Sequence, residues 1–284
     1  MINYSQHIQV LNEVLPLVKR FTNRIIVVKY GGSVIQDSQL KNQVIQDVLF
    51  LSSIGIKLVL VHGGGPIINT WLKKSNIEPK FHNGVRVTDS KTMEIVEMVL
   101  VGKVNKDLVA LLNKKDDLAV GISGKDGNLI SALPMFNTEE NFVGKVDKVN
   151  TKLLNLLLDN NYIPVIASIA SDINGQVYNI NADTVAGSIA MALKAEKLIL
   201  LTDTPGIMFD IKNPNTLLKN VTVADVEVLK KKNIISGGMI PKVDCSVKAV
   251  QSSVKSVHII DGRIPNALLL EILTIDGIGS MMTL

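Results

Sequence analysis

Two glycine-rich stretches each close an apolar run of strand length: Lys29-Tyr30-Gly31-Gly32-Ser33 ends the run 24–30, and His62-Gly63-Gly64-Gly65-Pro66 ends the run 56–62. One glycine suffices for a tight turn, and each further one inside a regular element costs about 0.5–1 kcal/mol relative to alanine. Three in succession therefore suggest that backbone comes close to a ligand. Where a strand hands over to a helix, N–H groups with no side chains in the way form an anion site, and Pro66 suits the first helical position. A third stretch, 236–242, places Gly237 and Gly238 before Pro241, a helix-start signal, with Lys242 in the first turn. A cation there opposes the helix dipole. It makes sense where an anion fills the site; otherwise Lys242 is a screened, solvent-facing lysine. Lys29, at the carboxyl end of its strand, is either a solvated flank or a second cation for the same anion.

Other residues add to this set. Asn179, Asn181 and Asp183 precede a helical run, where Asp183 is either an N-cap or a carboxylate able to hold a lysine or Mg²⁺. Arg86 carries a planar guanidinium suited to a bidentate grip on a carboxylate, although a surface ion pair explains it at least as well. His7, His62, His82 and His258 lack metal-ligand spacing, and His62, after a core strand, reads as structural. No Ser-His-Asp or Cys-His arrangement is legible. The glycines do not make a dinucleotide fingerprint, because Ile68 stands where G-x-G-x-x-G requires glycine, and no P-loop pattern occurs. Anion turns and isolated lysines without a base point to phosphoryl transfer.

These residues need a scaffold that collects strand ends. Apolar runs at 24–30, 56–62, 118–123, 162–168, 196–203 and 256–261, with a shorter one at 277–282, are mostly continuous, as strands covered on both faces read. Helical patterns lie between them at 38–53, 65–74, 89–113, 151–159, 183–194, 222–232, 241–254 and 265–273. The alternation predicts a three-layer α/β/α sandwich around a mostly parallel sheet, which binds ligands beyond the carboxyl ends of its strands. Residues 129–150 are polar and turn-rich, a hairpin or an irregular insertion. A division near residue 175 would give lobes 23–175 and 176–284 on one continuous sheet, after an N-terminal helix over 1–22.

The 284 residues are 46% hydrophobic, 20% charged and 4% aromatic, which is the composition of an aliphatic globular core. A net charge of +4 without a long basic block gives no footprint for nucleic acid, and no apolar run is long enough for a membrane span. The single cysteine, Cys245, excludes an intrachain disulfide and suits a reducing compartment. No signal or transit peptide is visible, and the richness in Lys, Asn and Ile fits an AT-rich genome. The expected location is bacterial cytoplasm, or plastid stroma for a plastid-encoded chain.

The stretches "KYGGS", "VHGGGPIIN", "GVRVTD", "VGISGKDGNLI", "NINADTVAGSIA", "LLTDTPGI" and "SGGMIPKVDC" resemble, in order and spacing over nearly the whole chain, the N-acetylglutamate kinases of the amino acid kinase family. The resemblance implies an N-terminal lobe for N-acetyl-L-glutamate and dimerisation and a C-terminal lobe for ATP with Mg²⁺. It implies γ-carboxylate phosphorylation in arginine biosynthesis. It assigns Lys29 and Lys242 to the transferring phosphoryl group and Asp183 to their organisation. It makes Gly64, Gly65, Arg86 and Asn179 substrate contacts, Gly31 and Gly32 phosphate contacts, and provides no protein metal site. Ser123 stands where many relatives have cysteine. The chemistry is consistent: a γ-carboxylate with a pKa of about 4.3 is ionised at neutral pH and needs no base. Sister kinases acting on aspartate, glutamate, carbamate or UMP, a non-catalytic arginine sensor, and the kinase-like part of an acetyltransferase are the alternatives. The absence of a following regulatory domain speaks against aspartate kinase and some glutamate 5-kinases, the absence of an acetyltransferase domain against the last, and the presence of Lys29, Lys242 and Asp183 against the sensor.

Ile8, Leu11, Leu15 and Val18 recur at helical spacing ahead of the first strand, with Pro16 expected to kink the helix. Such a helix packs on its own subunit or on another. It resembles the N-terminal helix of arginine-inhibited members, which links three dimers into a hexamer. Lys197, Glu271 and Gly279 correspond to their arginine site, with Leu17 in place of an expected aromatic. The same resemblance makes the PII signalling protein a possible partner.

Overall fold

A computed structural model describes residues 4–35, 37–82, 85–114, 116–136, 138 and 140–284. The strands are β1 (Ile25–Tyr30), β2 (Lys57–His62), β3 (Phe81–His82), β4 (Val85–Arg86), β5 (Ala119–Ser123), β6 (Ile130–Pro134), β7 (Val143–Val149), β8 (Ile163–Ala167), β9 (Ile169–Ser171), β10 (Val177–Ile180), β11 (Lys197–Thr202), β12 (Asn220–Thr222), β13 (Ser256–Asp261) and β14 (Ser280–Thr283). The helices are α1 (Tyr4–Phe21), α2 (Ser38–Ser53), α3 (Gly65–Lys74), α4 (Ser90–Glu97), α5 (Asn105–Leu112), α6 (Lys152–Asp159), α7 (Ala182–Ala192), α8 (Val223–Lys231), α9 (Met239–Ser252) and α10 (Ala267–Leu273).

Eight strands form the central sheet in the order β12-β14-β13-β11-β1-β2-β8-β5. All neighbours are parallel except β13 and β14. Strand β1 pairs directly with β11, so the sheet crosses the sequence position 175 without a break. The alternation of a strand explains why its apolar runs are continuous. Ile26, Val28 and Tyr30 enter one core with α2, α4, α5 and α10, whereas Val27 enters the other with α6, α7, α8 and α9. Lys29 shares the Val27 side by the same alternation.

The polar segment 129–150 is a hairpin: β6 and β7 pair antiparallel and join β9 and β10 in a small sheet closed on itself. The expected single helix over 89–113 is interrupted by a π-helical segment, Met98–Val104. Leu100, Val104, Leu108 and Leu112 form the helix's buried stripe, and Asn105, directly after the π-helical segment, is buried beside that stripe and faces the sheet, donating to the Val165 carbonyl.

Helix α1 runs through Pro16 without interruption. Among the described side chains of α1, those that pack on the core are Val14, Leu17, Val18 and Phe21 of its last turns. Of the expected apolar stripe, Ile8, Leu11 and Leu15 stay exposed, as does Val10. Among the described residues no helix is long and apolar enough to cross a membrane.

Candidate active site

The carboxyl ends of β1 and β2 deliver the two glycine turns side by side, with Tyr30 paired to His62. A short 3-10 turn, Gly32–Ile35, follows the first, pinned by the Tyr30 hydroxyl donating to the Val34 carbonyl at 2.9 Å. A Cβ on Gly31 would fall on the end of the Lys29 side chain, so a larger residue there would push that ammonium from its place beside Asp183. Gly64 precedes α3 with no side-chain cap, and a Cβ on it would lie 2.7 Å from Leu100. A Cβ on Gly65 meets nothing within 4 Å, so that glycine borders open space.

Asp183, in the first turn of α7, holds both lysines. Its Oδ1 lies 2.9 Å from Lys29 Nζ and its Oδ2 lies 2.7 Å from Lys242 Nζ. Asn181 is the N-cap, accepting from the Asp183 and Thr184 amides at 2.9 and 3.2 Å, which leaves the Asp183 carboxylate free for the cations. Helix α9 starts at Met239, two residues before the Pro241 signal, after Gly238 and a left-handed Gly237. Lys242 remains in its first turn. Burial favours the neutral forms of Asp183 and Lys29. For Asp183 burial is opposed and outweighed by Lys29 and Lys242, so its pKa lies below the ordinary carboxylate value. For Lys29 burial wins over Asp183, and its pKa lies below the ordinary lysine value. Two cations on one carboxylate leave a net positive charge between the amide-lined starts of α3, α7 and α9.

Beside this triad lies a cavity of about 200 Å³, lined in part by Gly63–Gly65, Arg86, Asn179 and Asn181. Arg86 is buried and has no carboxylate partner among the described residues. Its Nη2 donates to Asn69 Oδ1 at 2.6 Å and to the Gly65 carbonyl at 3.2 Å, its Cζ lies 4.7 Å from the centroid of the Phe81 ring, and its buried Nη1 has no acceptor among the described residues. Burial lowers the guanidinium's pKa. The surface ion pair is thereby replaced by a held, half-satisfied cation, an arrangement that suits an anionic ligand. Asn179 reaches the same cavity on β10, its Nδ2 donating to Thr88 Oγ1 at 3.3 Å. Asn69, the last residue of the VHGGGPIIN stretch, stands beside this cavity, and Phe81, Ser168, Met135 and Val143, which were not singled out in the sequence, line it because chain crossings place them there. If Arg86 grips a ligand carboxylate, Arg86→Lys should raise KM for the acidic substrate at least tenfold and leave KM for ATP within twofold, because a point charge cannot replace the fork. Steady-state kinetics with each substrate varied decides this, and an equal rise in both constants would make the role structural.

Among the described residues no three or more His, Cys, Asp or Glu side chains are grouped to hold a metal. His62 is fully buried, and Cys245 donates to the Asp183 carbonyl at 3.1 Å, burial pushing its thiol up to about 12.

A second, larger cavity of about 760 Å³ lies at the opposite end of β11 and is lined by Leu17, Arg20 and Phe21 of α1 together with Lys197, Glu271 and Gly279. Lys197 Nζ is 2.8 Å from His258 Nε2, and His258 Nδ1 is 2.5 Å from Glu271 Oε1. Glu271 Oε2 accepts from the Ile278 and Gly279 amides at 2.6 and 3.1 Å. Burial pushes Lys197 down to about 8.

A sequence profile described as the amino acid kinase family matches residues 24–261. The chain is 61% identical to an acetylglutamate kinase of Gracilaria tenuistipitata var. liui, over 100% of both chains. It is 57% identical to one of Trichormus variabilis, over 98% of this chain and 94% of the relative. Its fold matches an N-acetylglutamate synthase of Neisseria gonorrhoeae with a TM-score of 0.85 at 24% identity, covering 98% of this chain and 63% of that one. The chain belongs to the amino acid kinase family, among its acetylglutamate kinases.

Proposed function

We propose that the chain transfers the terminal phosphoryl group of ATP to the γ-carboxylate of N-acetyl-L-glutamate, forming N-acetyl-L-glutamyl 5-phosphate and ADP, the second step of arginine biosynthesis. The observation that carries the reading is one buried carboxylate, Asp183, spacing Lys29 and Lys242 beside the Gly63–Gly65 and Arg86 cavity. The obstacle in this reaction is bringing an anion against a polyanion. Fixed cations and amides around the transferring group offset that repulsion in a loose, in-line transition state. Arg86 and Asn179 orient the substrate, residues before 175 bind it and dimerise, and residues after 175 bind ATP. Mg²⁺ enters on the nucleotide's phosphates. A coupled ADP-release assay should show turnover with N-acetylglutamate and none above background with glutamate, aspartate, carbamate or UMP. Turnover with one of the latter instead would overturn the assignment.

The second cavity supports feedback inhibition by arginine. Glu271 offers a carboxylate for a guanidinium, and Lys197 an ammonium for a carboxylate, against the end of α1. The exposed Ile8, Val10, Leu11 and Leu15 need a cover, which a neighbouring subunit in a hexameric trimer of dimers supplies. Docking of PII belongs to the same reading, as does a location in bacterial cytoplasm or plastid stroma. Deleting residues 1–20 should then leave a folded, active dimer that arginine no longer inhibits. Light scattering and kinase assays with added arginine test this, and a truncated enzyme that stays hexameric or fully inhibitable would defeat it.

A further inference from the structure

His62 occupies the last position of β2, immediately before the three glycines. Its ring is fully buried on the face of β2 that carries Leu58 and Leu60, towards α5. Nδ1 lies 3.0 Å from the Gly63 carbonyl oxygen, and Nε2 lies 3.1 Å from Asn105 Nδ2. A carbonyl can only accept, so Nδ1 carries the proton. Asn105 Nδ2 also donates to the Val165 carbonyl at 2.8 Å, so this nitrogen is a donor and Nε2 must accept. Asn105 is thus the group that selects the His62 tautomer, and the π-helical turn before it brings it to the sheet. Burial pushes His62 down to about 4, opposed by its bond to Gly63 and aided by Lys106, its one charged neighbour among the groups that shift it.

The consequence lies in one peptide plane. In a trans peptide the C=O and the following N–H point in opposite directions. The Gly63 amide is tied to the Tyr30 carbonyl at 3.2 Å, and its carbonyl is drawn by His62 towards α5. The Gly64 N–H is therefore turned to the other face of the sheet, the face of Val27 and Lys29, where Asp183 lies. That N–H has no acceptor among the described residues. We infer that His62, held by Asn105, is a positioning residue that aims the Gly64 N–H at the transferring phosphoryl group. This rests on the phosphoryl-transfer reading: wild-type turnover with ATP and N-acetylglutamate tests that reading, and the comparisons below test the positioning.

His62→Leu fills the space and removes the donor, whereas His62→Asn keeps an amide N–H near the place of Nδ1. His62→Leu should lower kcat roughly 10–100-fold, less than outright loss of an oxyanion donor, with each KM within threefold of wild type. His62→Asn should recover kcat to within threefold. Equal losses in the two variants, or a change confined to KM, would overturn the role. The wild-type enzyme offers a check that needs no stable variant. Of the four histidines, His258 also turns Nδ1 to an acceptor, so residue-assigned ¹⁵N spectra are needed, and they should show the His62 ring neutral and protonated at Nδ1 from pH 8 to pH 5.5. A proton on Nε2 of His62, or its titration near 6.5, would refute the mechanism.

Discussion

Lys242→Ala is expected to fold and to lose roughly 10²–10³ in kcat, with KM for ATP and for N-acetylglutamate changing only a few-fold. The fold should tolerate the change because Lys242 is partly exposed, and because its removal leaves Asp183 paired with Lys29 at 2.9 Å. The site, however, goes from net positive to neutral. An ammonium that stabilises charge developing in the transition state acts on kcat rather than on ground-state binding. Steady-state kinetics on a variant with wild-type circular dichroism provides the measurement. A near-normal kcat would remove Lys242 from the chemistry.

Asp183→Asn should have an effect on rate of the same order and a larger one on stability. Asp183 and Lys29 are both buried, with side-chain exposures of 6% and 9%. Removing one partner of a buried pair typically costs about 3–5 kcal/mol, because the remaining charge is left uncompensated. For a chain of this size that corresponds to a fall in Tm of roughly 6–20 °C. The pH dependence follows from the two shifts. Asp183 has a depressed pKa, so its contribution is present above the unfolded value of 3.8 and is lost as pH falls through its lower folded value. The gap between wild type and variant should therefore persist at neutral pH and narrow only below about pH 4. Lys29 already lies below 10.5 through burial, and the loss of Asp183 lowers it further. In the window between that value and 10.5 the unfolded chain binds more protons, so the variant should gain stability as pH rises. Differential scanning calorimetry from about pH 2 to about pH 10 checks both signs. A Tm matching wild type throughout would mean that Asp183 does not hold the two lysines in solution.

Much of this site was legible along the chain because its signals are local. A glycine turn after an apolar run, a proline just inside a helix start and a lysine in the first turn each depend on a few neighbouring residues. Continuous apolar runs revealed a sheet covered on both faces, and such a sheet places its strand ends, hence Lys29 and the two glycine turns, on one edge. Residue types alone left Asp183 as cap or ligand and Arg86 as ion pair or clamp. Those choices depend on partners far away in sequence. Tertiary structure resolved the first by giving the cap to Asn181, so that Lys29 and Lys242, separated by most of the chain, meet on one carboxylate. It buried Arg86 under Phe81 and left one of its nitrogens without an acceptor among the described residues. The two-to-four-residue strands β3, β4, β9, β10 and β12 are too short for a period to show, and pairing alone defines them. The π-helical turn at Met98–Val104 escaped for a related reason. An apolar stripe read at 3.6 residues per turn cannot register one wider turn, whose advantage is collected only where Leu100 meets Gly64 and Asn105 meets His62. Sequence therefore determined which groups stand at the ends of which elements, because that depends on local backbone preference. Only the packed sheet decided which groups touch, because each such contact joins elements whose local preferences carry no information about one another.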